Sequence, residues 1–129
     1  MLLFFDELFD SVNASSFDVK NGKMYRAAVR RDSRHHKLWA DALKVLDSMY
    51  FINKKGQKQV PPTVKNWILT IKGLQDIFKL LQAGGIKAML TRNFNQDPLE
   101  NFFGSIRSHA LRSNNPTCSA FIAAFKTLI

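Results

Sequence analysis

The sequence predicts a mainly α fold, and three observations carry that prediction. Apolar residues recur at helical spacing over most of the chain, helix starts and stops are marked by Asp-Pro, Thr and Gly-Gly, and a strand-like run is confined to Ile86–Asn93. The 129 residues, 46% of them apolar, suffice for one ordinary domain or for pieces of two. Lys and Arg outnumber Asp and Glu by 19 to 10, and the net charge of +9 favours a polyanionic partner, nucleic acid or nucleotide, over an acidic surface. The single cysteine, Cys118, excludes an internal disulfide and is expected as a buried, inert thiol. Met-Leu-Leu-Phe-Phe is too short for a signal sequence and is followed at once by Asp6, Glu7 and Asp10. No stretch reaches the ~18 apolar residues of a membrane span, so the expected location is the cytosol or nucleus.

The first helix is expected over Leu2 to Val12, with Leu3, Phe4, Leu8, Phe9 and Val12 on one side and Asp6 and Asp10 one turn apart on the other. For these acids the simplest reading is an exposed face. A start inside an apolar helix, and an end without a polar tail, suggest a piece of something longer. Ala14 to Gly22 reads as an exposed loop. Arg26, Arg30, Arg31 and Arg34 then crowd together, followed by His35, His36 and Lys37. Such a cluster suits a phosphate or DNA backbone, because each cation releases counterions, and it equally suits a solvated basic loop. Adjacent histidines on a helix point ~100° apart, and with no cysteine partner and His109 distant they do not make a zinc site.

Ser33 is expected to cap a helix through Leu38, Trp39, Ala42, Leu43, Leu46, Met49 and Tyr50, with Trp39 in the core. Asn53 to Pro62, with Lys54, Lys55, Gly56 and Lys58, reads as a polar connection that lacks the Gly-x4-Gly-Lys-Ser/Thr pattern of a phosphate loop. Thr63 is expected to cap the longest helix, whose stripe is Val64, Trp67, Ile68, Ile71, Leu74, Ile77, Phe78 and Leu81. Gly84-Gly85 stops it, and Gly73 within it, costing about 1 kcal/mol relative to alanine, suggests a close helix crossing. The composition shift at Gly84-Gly85 divides the chain into 1–83 and 84–129. Ile86 to Asn93 is a strand or a short helix by pattern alone.

Asp97 is a good N-cap, Pro98 suits the first helical position, and Glu100 can reach back to the cap. Leu99, Phe102, Phe103, Ile106 and Ala110 form the apolar stripe of this helix. Glu100 falls on its flank, with Arg107 two turns on and Gly104 between, where a backbone or ligand could approach. Spacing alone makes Glu100 a capping residue. Asn114-Asn115-Pro116 breaks the chain, and Thr117 caps a last helix carrying Phe121, Ile122, Phe125 and Leu128.

Leu90-Thr91, the run Gln96-Asp97-Pro98-Leu99-Glu100-Asn101-Phe102-Phe103-Gly104-Ser105-Ile106-Arg107-Ser108, Asn115-Pro116-Thr117 and Phe121 together resemble the P-element-type DNA transposase family, which includes THAP-domain transposases. The family signature lies late in a ribonuclease-H-like catalytic domain whose third metal ligand is a helix-borne glutamate. By that resemblance Glu100 is a catalytic Mg2+ ligand, and Ile86 to Asn93 is an extended segment. Leu8-Phe9-Asp10-Ser11-Val12-Asn13 is similar to a helix of the family's GTP-binding insertion, which implies that 1–83 belongs to that insertion and 84–129 to the catalytic domain.

The resemblance further assigns guanine recognition to Asp10, with Asp6 in support and Asp97 close to the nucleotide. A carboxylate suits guanine because it accepts from both the ring N–H and the exocyclic amine. The implied cofactors are Mg2+ and GTP, the implied partner is DNA at transposon ends, and the implied location is the nucleus. Arg26, Arg30, Arg31, Arg34, Lys37 and Arg107 are the expected nucleic-acid contacts. By the same comparison the chain starts downstream of two strand-borne aspartates, the zinc module and the phosphate-contacting lysines. One carboxylate cannot hold two metal ions, so this chain by itself is expected to lack transposase activity. The alternative is a freestanding basic helical module in which the basic loop from Arg26 to Lys37 and Lys54 to Lys58 contact nucleic acid or protein.

Overall fold

The computed structural model describes residues 2–109 and 117–128. Ala110 and the Asn114-Asn115-Pro116 break lie outside the described residues. The fold is mainly helical: α1 Leu2–Val12, α2 His35–Ser48, α3 Pro62–Ala83, α4 Asp97–His109 and α5 Cys118–Leu128. Four two-residue strands accompany them, β1 Val29–Arg30, β2 Phe51–Ile52, β3 Lys58–Gln59 and β4 Ala88–Met89. The chain forms two compact units, Met1–Phe94 and Asn95–Ile129. Gly84-Gly85 ends α3, yet the chain continues in the first unit, because β4 pairs antiparallel with β1 through Val29↔Met89 and Arg30↔Ala88. The extended expectation for Ile86 to Asn93 thus holds only at β4, and Thr91–Phe94 closes as a 3₁₀ turn.

The core of the first unit joins Leu8 of α1, Val29 of β1, Trp39, Ala42 and Leu46 of α2, Val64, Ile71, Leu74 and Phe78 of α3, and Met89 of β4. The helical residues among these lie on the stripes read from 3.6-residue spacing, and burial of those stripes is what makes helices of this length stable; Val29 and Met89 join them through the β1–β4 pairing. A hydrogen-bonded chain runs through the core. The Trp39 indole donates to Ser11 Oγ at 2.9 Å, and Ser11 Oγ donates to the Leu8 carbonyl at 2.7 Å. Thr91 Oγ1 donates to the Ser11 carbonyl at 2.9 Å and accepts the Ala14 amide at 2.8 Å. Ala14, expected in an exposed loop, is therefore fully buried.

Several local expectations are corrected. Ser33 makes no cap for α2, whose N-cap is Arg34; its hydroxyl turns back to the Arg30 carbonyl at 3.0 Å. Thr63 lies inside α3, which starts at Pro62 because proline's fixed φ and missing N–H suit a first turn. An alanine Cβ at Gly73 would meet nothing within 4 Å, so no helix crosses there. The polar connection from Asn53 carries the turn and second strand of a β2–β3 hairpin, with register Phe51↔Gln59 and Ile52↔Lys58.

In the second unit α4 and α5 pack through aromatic rings, Phe102 against Phe125 at 5.8 Å and Phe103 against Phe121 at 6.4 Å, while Phe121 and Phe125 stack along α5 at 6.0 Å. Ile106 and Ala124 are buried between them, whereas Leu99 and Phe103 of the expected stripe are exposed. Thr117 caps α5 as expected, its Oγ1 accepting the Ala120 amide at 3.3 Å. Cys118 is exposed at the start of α5 rather than buried, since the apolar face of that helix begins a turn later at Phe121.

Candidate functional site

The start of α4 is built one residue earlier than the Asp97 cap predicts. Asn95 Oδ1 accepts the Asp97 amide at 3.0 Å, and the Gln96 carbonyl accepts the Glu100 amide at 2.8 Å. The amide turn of Asn95 replaces an aspartate cap because both side chains fold back onto the backbone two residues on. Asp97 and Glu100 consequently share the first turn of α4, both acidic groups being placed where the helix dipole favours negative charge. Glu100 is exposed, and Gly104 one turn on leaves space whose nearest side-chain atom is Arg107 Nη2, 4.0 Å from where a Cβ would lie. A carboxylate, an open backbone stretch and a guanidinium thus fall within two turns of α4. Among the described residues no three His, Cys, Asp or Glu gather as metal ligands.

Asp10 is not on an exposed acidic face: its residue is 5% exposed, and its two oxygens are engaged by Arg26 Nε at 2.8 Å and Lys23 Nζ at 2.9 Å. Asp6, one turn earlier, is exposed and reaches the same Lys23 at 3.7 Å. Donating a hydrogen bond to the Asp10 carboxylate raises the Lys23 pKa above its ordinary 10.5. Lys23 was legible as a cation but not as a partner, because the loop between α1 and the 3₁₀ turn Met24–Arg26 brings it back over α1.

The arginine cluster divides among different surroundings. Arg26 belongs to the Asp10 clasp, and Lys37 pairs with Asp41 at 2.9 Å, which raises the Lys37 pKa and lowers that of Asp41. Arg30 and Arg34 line an open cavity of about 380 Å³ with Phe17, Met24 and His35, and the Arg30 guanidinium donates to the Phe17 carbonyl at 3.5 Å. Arg30 and Arg31 also meet Lys87 and Gln82 in a depression of about 630 Å³. Lys87 was missed in the sequence because it is remote from the cluster and arrives there only through the β1–β4 pairing. Arg107 belongs to the α4 side and to the second unit.

His35 underlies the 380 Å³ cavity and is buried, with Nε2 3.0 Å from the Tyr25 carbonyl and Nδ1 3.1 Å from Ser33 Oγ. In the neutral ring the carbonyl contact puts the proton on Nε2. Burial lowers its pKa below the ordinary 6.5, and the Tyr25 carbonyl opposes that shift. The unfolded chain therefore binds more protons once the pH drops below 6.5, so the stabilising contribution is complete above that pH and is lost as pH falls toward the folded-state value. The urea midpoint of the protein should decline between about pH 7.5 and 5.5, and His35→Asn should flatten that slope. An unchanged slope in the variant would contradict this account.

Residues 93–126 match the family model described as TNP-like, RNase H C-terminal domain. The match marks this segment, which contains the whole of α4, as transposase-related and ribonuclease-H-like. No curated protein and no solved structure matches the chain. Among the described residues no helix is long and apolar enough to cross a membrane.

Proposed function

We propose that this chain is a segment of a P-element-type, cut-and-paste DNA transposase in which Glu100 is the helix-borne metal ligand. The observation that carries the reading is that the matched segment, residues 93–126, places Glu100 exposed on the first turn of α4 beside Gly104 and Arg107. Glu100 would bind Mg2+ together with two strand-borne aspartates supplied from outside this chain, and the bound ions would activate an attacking hydroxyl and stabilise in-line phosphoryl transfer. The residues fit that group as one of three donors: the carboxylate is a hard oxygen ligand, and Arg107 is suited to a nearby phosphate oxygen. DNA at transposon ends is the proposed partner, and the nucleus the proposed location.

Tested with supercoiled plasmid and Mg2+, the 129-residue chain alone is expected to cut nothing. Combined with a polypeptide carrying the family's two aspartates, it should cut, and Glu100→Gln should lower the rate on the order of 10³-fold without weakening DNA binding. Cleavage by the chain alone, or full activity of the combined E100Q protein, would overturn the reading.

The proposal extends to GTP, with Asp10 as the guanine-recognising acid, Asp6 beside it and Asp97 near the nucleotide. What supports it is the pair of carboxylates one turn apart on α1, although Asp10 already accepts from Lys23 and Arg26 and is nearly closed to solvent. An isolated half-site of this kind should bind GTP far more weakly than micromolar in calorimetry. Micromolar binding abolished by Asp10→Ala would show instead that the site is complete within the chain.

A second reading, a freestanding basic module that binds nucleic acid or protein, is favoured by the convergence of Arg30, Arg31 and Lys87 on one depression. It prevails if Glu100→Gln is silent in the combined assay while charge reversal at Arg30, Arg31 and Arg34 abolishes DNA binding and its steep salt dependence.

A further inference from the structure

From Ser48 to Gln75 the chain has no acidic residue, while Lys54, Lys55, Lys58, Lys65 and Lys72 fall within that stretch. In a protein with 10 acids among 129 residues this is the longest acid-free stretch of the first unit, and it is separate in sequence from the arginine cluster. Its centre is the β2–β3 hairpin. The tip is ordered by one side chain, Asn53, whose Oδ1 accepts the amides of Lys55 at 2.9 Å and Gln57 at 3.0 Å. Asn53 Nδ2 donates to Gln57 Oε1 at 3.1 Å, and Gly56 takes the left-handed φ of 76° that closes the turn. Lys54 and Lys55 are thereby carried on a short preorganised loop, both exposed.

Behind the tip β2 is apolar and open, while β3 is polar. Phe51 is 54% and Ile52 67% exposed, and Lys58 Nζ rests 4.2 Å from the centre of the half-exposed Tyr50 ring. The hairpin runs directly through Pro61 into α3, where Lys65 and Lys72, seven residues apart, share one side of the helix and are both exposed. One exposed apolar strand next to lysines without acids is poorly matched to a basic protein surface and well matched to a polyanion with apolar sugar and methyl groups between its charges. A two-stranded ribbon is also one of the two elements that the ~12 Å major groove of B-DNA admits.

We propose that the β2–β3 hairpin is a duplex-DNA contact, in which Lys54, Lys55 and Lys58 engage the phosphate backbone and Phe51 and Ile52 lie against groove sugars or thymine methyls. The surface is independent of Glu100 and of the arginine cluster, so its test does not depend on the transposase reading. The full chain would be titrated against a labelled 20-base-pair duplex by fluorescence anisotropy over a series of salt concentrations. Lys54→Glu/Lys55→Glu/Lys58→Glu should weaken binding at least tenfold and reduce the slope of log K against log salt by about 2.7, the value for three lost phosphate contacts. Phe51→Ala/Ile52→Ala should weaken binding several-fold with the slope unchanged. Unaltered far-ultraviolet circular dichroism checks that both variants fold. The proposal is overturned if the folded lysine variant binds with the original affinity and slope, or if the chain prefers a single strand of the same sequence, and an apolar variant that binds like the original overturns the contact by Phe51 and Ile52.

Discussion

Replacing Trp39 with alanine should lower the stability of the first unit by about 3–5 kcal/mol, enough to move its melting temperature by more than ~10 °C. Trp39 is fully buried and belongs to the cluster that gathers α1, α2, α3, β1 and β4, so truncation opens a cavity where these five elements meet. The effect has two separable parts. Trp39→Phe retains most of the volume but removes the indole donor to Ser11 Oγ, a loss of about 1–2 kcal/mol. The full variant adds the cavity. Urea unfolding followed through the remaining tryptophan, Trp67, resolves the two, and an alanine variant no less stable than the phenylalanine variant would show that the cavity collapses without cost.

Thr91→Val should cost about 2–4 kcal/mol even though the side chains have nearly the same shape. The Thr91 hydroxyl donates to the Ser11 carbonyl and accepts the Ala14 amide inside the core, so valine leaves one buried acceptor and one buried donor unmatched. The bonds also connect residues 77 and 80 positions apart, tying the segment that leads into α4 to the end of α1. Thr91→Ser retains both bonds and gives up one buried methyl, so it should lose only about 1 kcal/mol. Chemical denaturation of the two variants decides the matter, and equal stabilities would remove the hydroxyl from the account.

The helices were legible because each has a one-sided stripe whose spacing survives any tertiary arrangement. Leu8, Trp39, Ile71 and Phe78 were all marked as core by 3.6-residue spacing and all are buried. Cap residues were less legible: Arg34 and Pro61 flank helices that Ser33 and Thr63 were expected to start, because the Ser33 hydroxyl finds the nearer Arg30 carbonyl and Pro62 begins α3 one residue before Thr63. The hairpin escaped notice because its strands are two residues each, too short for alternation to rise above composition. Gly73 was misread for a different reason, since glycine in a helix signals either a close neighbour or nothing, and here the space is open.

The candidate sites divide along the same line. By itself the sequence determined that Glu100 stands at the start of an amphipathic helix beside Gly104 and Arg107, because residues within two turns of one helix are related by its geometry alone. It also determined the basic balance and the mainly helical class. Only the tertiary structure decided that Asp10 is held by Lys23 and Arg26, that Lys87 joins Arg30 and Arg31, and that Thr91 locks α1 from across the unit. Those contacts join residues far apart in the chain or brought back by a loop without periodicity, and no local spacing encodes which distant partner a buried charge or hydroxyl will find.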